Sequence, residues 1–210
     1  MRISEKLREL HAPTRAACES HPFVLGMADG TLPLEYFARW VAQDWLYLQG
    51  YLQIVQRAAD LATDNDTRAR WLEMVRLTRD VELDLHRGLA REVGLSEDDL
   101  AQTAPYPATT RYLQALAAAN TYHEVVATLT PCAVGYAEIA KKLGAMPKSP
   151  VPRYAEWIAT YLDPAFQEVV PWLEAELDIC SDGHEEAVSK AYAAAVQLEL
   201  DFWDALYEKP

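Results

Sequence analysis

Residues 31–62 read TLPLEYFARWVAQDWLYLQGYLQIVQRAADLA, with apolar side chains returning every three or four positions and with neither alternation nor a hairpin signal. Phe37, Val41, Leu48 and Tyr51 share one face of a 3.6-residue period. With Thr31 as cap and Pro33 in the first turn, the stretch predicts one long helix ending near Ala62, where TDND turns the chain. The same period continues outward in both directions. Upstream, Leu7, Leu10, Thr14 and Ala17 outline a helix interrupted near Pro13, and His21 to Gly30 reads as a connecting loop. Downstream, helices are expected over Thr67–Val93, Thr109–Ala119, Tyr122–Lys142, Tyr154–Leu162, Pro164–Leu177 and Glu185–Tyr207. The stretch from Gly94 through SEDD and APYPATT is looser, and Pro131 and Pro171 predict kinks, the first freeing one backbone carbonyl and falling beside Cys132. The fold class is therefore all-α, a helical bundle forming a single domain over residues 1–210, with no repeat and no linker.

Charge and composition exclude several classes of function. The 19 Lys and Arg against 32 Asp and Glu leave a net charge of −13, the wrong sign for nucleic acid or an anionic membrane. The charged start MRISEKLRELHAP has no leader-like apolar run, and no stretch approaches about 18 uninterrupted apolar residues, so a cytoplasmic location is expected. Cys18, Cys132 and Cys180 are widely spaced and odd in number, which argues for free thiols rather than disulfides or a thiolate metal site. His11, His21, His86, His123 and His184 form neither HExxH nor a Glu-x-x-His pair, so no metal and no cofactor are expected.

Functional groups emerge as interruptions of apolar stripes. One face of the long helix carries Phe37, Val41, Asp44, Leu48 and Tyr51; the next helix carries Val75, Thr78, Glu82, Leu85 and Leu89. The stripe around Pro131 runs Val125, Leu129, Cys132, Tyr136 and Ile139, and the last helix gives Val188, Tyr192, Ala195, Glu199, Phe202 and Leu206. A single core-facing carboxylate or thiol is commonly structural. Ionisable groups on four helices point instead to a shared ligand, because an uncompensated carboxylate in an apolar core costs several kcal/mol. Tyr47 lies one turn beyond Asp44, Tyr51 one turn further and Tyr136 one turn beyond Cys132, and Tyr112 and Tyr161 sit on shorter helices; these tyrosines serve equally as core packing or as walls for a flat ring. Glu82 and His86, one turn apart, read as a structural ion pair outside the site.

HPFVLGMADGTLPLEYFARWVAQDWLYLQGY, then PCAVGY, WIATY and LELDFW, resemble in order the thiaminase II (TenA) family across nearly the whole chain. Trp45 departs from the family's more frequent tyrosine after Gln-Asp but keeps an aromatic. The resemblance implies a heme-oxygenase-like helical fold, assembly as a homotetramer, no heme or metal, and action on the pyrimidine half of thiamine or its breakdown products. Carried over by motif, Cys132 is the nucleophile, Glu199 the acid/base, and Asp44 the group that fixes and polarises the aminopyrimidine, with Tyr47, Tyr112, Tyr136 and Tyr161 lining the pocket. The implied reaction is hydrolysis of 4-amino-5-aminomethyl-2-methylpyrimidine to the hydroxymethylpyrimidine and ammonia in thiamin salvage. Two alternatives stay open: a non-catalytic pyrimidine-binding or regulatory protein, and an oxidase on the same scaffold.

Overall fold

A computed structural model describes residues 1–208, in which helices joined by short loops make up the regular structure, with no strand among them. Contacts gather the chain into two compact units, residues 33–125 and residues 1–32 with 126–208.

The unit of residues 33–125 is built on α4 (Leu34–Leu61), the long helix expected from the sequence, although Pro33 rather than Thr31 occupies its N-cap. Packed on α4 are α5 (Asn65–Leu77), α6 (Leu83–Glu92) and α8 (Pro107–Ala118), while α7 (Glu97–Ala101) packs on α6. Gly50 allows the approach of α8, since a Cβ there would lie 2.6 Å from Leu113 Cδ2. Asp64 caps α5 by accepting the N–H groups of Asp66 and Thr67 at 3.1 and 2.8 Å. The stretch after Gly94 is more ordered than expected, because Ser96 and Asp99 form a capping box that starts α7.

Between α5 and α6 the expected continuous helix contains a π-turn, Thr78–Glu82, in which the Leu83 N–H reaches the Thr78 carbonyl. A turn widened by one residue rotates everything that follows. Val75 and Thr78 are buried as the stripe predicts, but the buried face then passes through Leu83, His86 and Leu89, and Leu85 is only half-buried. His86 is thereby carried into the core.

In the other unit the first expected helix is two, α1 (Ile3–Leu10) and α2 (Ala12–Glu19), because Pro13 sits in the first turn of α2, where no N–H is needed. Ser4 ties α1 to α12 (Val169–Cys180) by donating its N–H and hydroxyl to Asp178, both at 2.9 Å. The segment expected as a loop is a third helix, α3 (Pro22–Asp29), with Pro22 in its first turn and Gly30 at φ 79° ending it. Its Phe23, Val24, Met27 and Ala28 are buried, so burial on all sides removed the periodicity that reveals a surface helix. The helix α9 (Tyr122–Gly144) contains Pro131, and the boundary between the units falls within it. Then come α10 (Pro152–Leu162) and α11 (Pro164–Gln167); the expected single helix from Pro164 breaks before α12, because Pro171 cannot donate to the carbonyl four residues back, that of Gln167. The last helix, α13 (Glu185–Tyr207), matches expectation to the residue, and all six residues of its expected stripe are buried.

Candidate active site

In the unit of residues 33–125, α4 presents Gln43, Asp44 and Tyr47, all buried. Gln43 organises the start of α8. Its Nε2 donates to the Ala104 carbonyl at 3.0 Å, and its Oε1 accepts the Tyr106 N–H at 2.8 Å and the Thr109 hydroxyl at 2.6 Å. Fixing residues 104–109 on α4 brings Tyr112 against Tyr47, ring centroids 4.7 Å apart, and Tyr51 lies 6.0 Å beyond Tyr47. One turn from this aromatic wall, Asp44 Oδ2 stands 2.7 Å from Nε2 of the fully buried His86. His86 Nδ1 lies 3.1 Å from the Glu82 backbone carbonyl, and the Trp40 ring packs on the imidazole at 5.1 Å.

Electrostatics follow from this packing. Burial alone would depress the His86 pKa, but Asp44 and the charge of Glu82 outweigh it and raise the value above that of an ordinary histidine. Burial also raises the Glu82 carboxyl, with His86 and Thr78 partly offsetting it. Glu82 and His86 were expected to pair with each other; the structure pairs the imidazole with Asp44 and leaves to Glu82 a backbone acceptor. Trp45 turns its ring to the Arg87 guanidinium, 5.5 Å from the ring centre.

In the other unit Tyr136 of α9 and Tyr161 of α10 meet edge to face at 4.9 Å, with Trp157 and Trp203 packed on Tyr136 at 5.8 and 5.6 Å. Cys132 lies one turn before Tyr136 and is half-buried and in no disulfide, whereas Glu199 on α13 is buried. Glu199 and Trp203 line a cleft with Pro131 and Gly135 of α9 and with Arg15 and Cys18 of α2. The thiol in that cleft is Cys18, which carries no motif in the sequence; burial, followed by the charge of Glu199, pushes its pKa up to about 12, so it is a poor nucleophile at neutral pH. Arg8 and Arg15 both pair with Glu138, and Arg8 also meets Glu174 at 2.5 Å.

Direct ring contacts join two pairs of the expected residues, Tyr47 with Tyr112 and Tyr136 with Tyr161; Asp44 lies one turn before Tyr47 on α4, Cys132 one turn before Tyr136 on α9, and Glu199 stands on α13. Gln43 and His86 are the functional candidates that the sequence reading left out. A Gln beside the Asp was a readable signal, and the π-turn hid the other. Among the described residues no group of three or more His, Cys, Asp or Glu is placed to hold a metal ion, and no helix is long and apolar enough to cross a membrane.

Comparison with known proteins gives a consistent picture. The sequence pattern of the TENA/THI-4/PQQC family matches residues 8–209. The chain is 31% identical over 217 aligned residues to the aminopyrimidine aminohydrolase of Halalkalibacterium halodurans, covering all of this chain and 97% of that protein. It superposes on the TenA homologue from P. horikoshii OT3 with a TM-score of 0.92, at 27% identity and 99% coverage of both chains. A heme oxygenase-like domain from Shewanella denitrificans shares the fold, with a TM-score of 0.74 at 13% identity, covering 97% of this chain and 91% of that one.

Proposed function

The chain belongs to the TENA/THI-4/PQQC family, and from that footing we propose that it is an aminopyrimidine aminohydrolase of the thiaminase II kind, a hydrolase of thiamin metabolism. Its substrate in this reading is 4-amino-5-aminomethyl-2-methylpyrimidine, which water converts to the hydroxymethylpyrimidine and ammonia. The observation that carries the reading is the end-to-end likeness to a bacterial aminopyrimidine aminohydrolase. The buried Asp44 beside the Tyr47 and Tyr112 rings suits a flat, amino-bearing heterocycle and lends it geometric support.

The chemistry explains why these residue types are needed. An aminopyrimidine resists nucleophilic attack until a ring nitrogen is protonated or strongly hydrogen-bonded, the task of Asp44. The Cys132 thiolate then adds to a ring carbon, forming a C–S bond as the ring π-pair moves onto that nitrogen. The pair returns as the exocyclic C–N bond breaks, and the amine leaves as ammonia with a proton from Glu199. Water adds to the resulting methylene with its proton passing to Glu199, and expulsion of the thiolate restores the aromatic ring and the starting enzyme. Tyr136 and Tyr161, with Tyr47 and Tyr112, wall the ring in this scheme.

The reading extends to one TenA-like domain, which the unbroken family match over residues 8–209 supports, and to a cytoplasmic homotetramer with no metal or cofactor. Light scattering at four times the chain mass is the expected result for the assembly. Ammonia release from the aminomethylpyrimidine tests the activity, and a protein that binds the pyrimidine but releases none is a binding protein instead.

A further inference from the structure

His86 is built into unit 33–125 with unusual care for a residue outside the proposed chemistry. The π-turn rotates α6 so that its imidazole enters the core, Trp40 covers one side, and no surface remains exposed. Its two ring nitrogens have different partners. Nδ1 faces the Glu82 carbonyl at 3.1 Å, and a carbonyl only accepts, so Nδ1 carries a hydrogen. Nε2 stands 2.7 Å from Asp44 Oδ2, at ion-pair distance though off the line of a straight hydrogen bond. Two lone pairs would repel at that separation, so one of the two atoms carries a hydrogen.

We propose that His86 is the positioning residue for Asp44: the proton it holds against Oδ2 fixes the plane of the carboxyl group that engages the amino-bearing edge of the pyrimidine. The inference rests on the reading of Asp44 as the pyrimidine-fixing group. The ionisable groups acting on His86 are Asp44 from α4 and Glu82 from the π-turn. The helix α7, which also packs on α6, turns Glu97 toward Arg87 at 3.9 Å and Asp99 back onto Ser96, and its Asp98 is exposed. The shared proton is therefore governed by the local pair, and its loss at high pH releases the carboxyl group.

The test is calorimetric binding of the product, 4-amino-5-hydroxymethyl-2-methylpyrimidine, between pH 6 and 9.5 for wild type, His86→Gln, His86→Leu, Asp44→Asn and the Asp44→Asn/His86→Leu double variant, each checked for fold by circular dichroism. Glutamine keeps an N–H donor without titrating, so His86→Gln is expected to bind within about threefold of wild type at low pH and to lose the alkaline decline that wild type shows. His86→Leu is expected to bind about ten- to a hundredfold more weakly at every pH. Because both residues act through one contact, the double variant is expected to bind no worse than Asp44→Asn alone. Wild-type affinity in His86→Leu, an unchanged alkaline decline in His86→Gln, or losses that simply multiply in the double variant each overturn the proposal. Ammonia release is followed in parallel. A wild type that binds the pyrimidine but releases no ammonia refutes the hydrolase reading and leaves this test standing, and one that does not bind it overturns both.

Discussion

Replacing Gln43 with methionine keeps nearly the same volume while deleting three hydrogen bonds that hold the start of α8 on α4. The bonds are not equivalent. Thr109 is buried, so its hydroxyl, which donates at 2.6 Å, has no water to turn to and costs about 1.5–2 kcal/mol when abandoned. The Ala104 carbonyl and the Tyr106 N–H are only partly buried and rehydrate in part, at about 0.5–1 kcal/mol each. Together these give a loss of about 3 kcal/mol, to be read from urea unfolding by linear extrapolation. Because the same bonds set Tyr112 against Tyr47, the variant is also expected to raise KM for the aminomethylpyrimidine more than it lowers kcat. A loss below about 1 kcal/mol, with KM unchanged, refutes the argument that Gln43 positions this wall.

Three further outcomes follow from particular contacts. His86 has a raised pKa in the fold, so the stability it contributes is fully present below its ordinary value of 6.5 and is lost as pH rises through the folded value; the melting temperature of wild type over His86→Gln should shrink accordingly, and an advantage that grows with pH contradicts the pairing with Asp44. Cys18, pushed to about 12 from 9.0, should carry about a thousandfold less thiolate near pH 8 than an ordinary thiol, so mass-mapped alkylation of the native protein should leave it unmodified, and labelling as fast as in urea refutes this. The same shift makes stability full below pH 9.0 and declining as pH rises toward 12. Gly50→Ala gains about 1 kcal/mol of helix propensity inside α4 and displaces only the end of the half-buried Leu113 side chain, so thermal unfolding should change by less than about 1 kcal/mol, and a loss above about 2 kcal/mol would show that Leu113 is locked in place.

The sequence displayed most of the fold because its signals were local: the apolar period of the long helices, and the turn marked by TDND between two of them. Where it misled, identifiable physics intervened. Pro22 and Gly30 mark the ends of α3 clearly, yet a short helix buried on every side has no polar face to betray it. The π-turn at Thr78–Glu82 preserves three- and four-residue spacings on either side and shifts their phase by one, so Leu85 read as core and His86 as periphery. The carboxylates Asp44 and Glu199 were legible as interruptions in stripes, and the structure buries both, with Tyr47, Tyr112, Tyr136 and Tyr161, while Tyr51 is half-buried. Cys18 shares a cleft with Glu199 through tertiary packing alone, with no motif in the chain to announce it.

The most direct test of the account is steady-state release of ammonia from 4-amino-5-aminomethyl-2-methylpyrimidine by wild type, Cys132→Ser and Glu199→Gln, with folding of each verified. The proposed chemistry requires ammonia and hydroxymethylpyrimidine in equal amounts from wild type, and rates lower by about a hundredfold or more in either variant. A Cys132→Ser protein that turns over at the wild-type rate contradicts it.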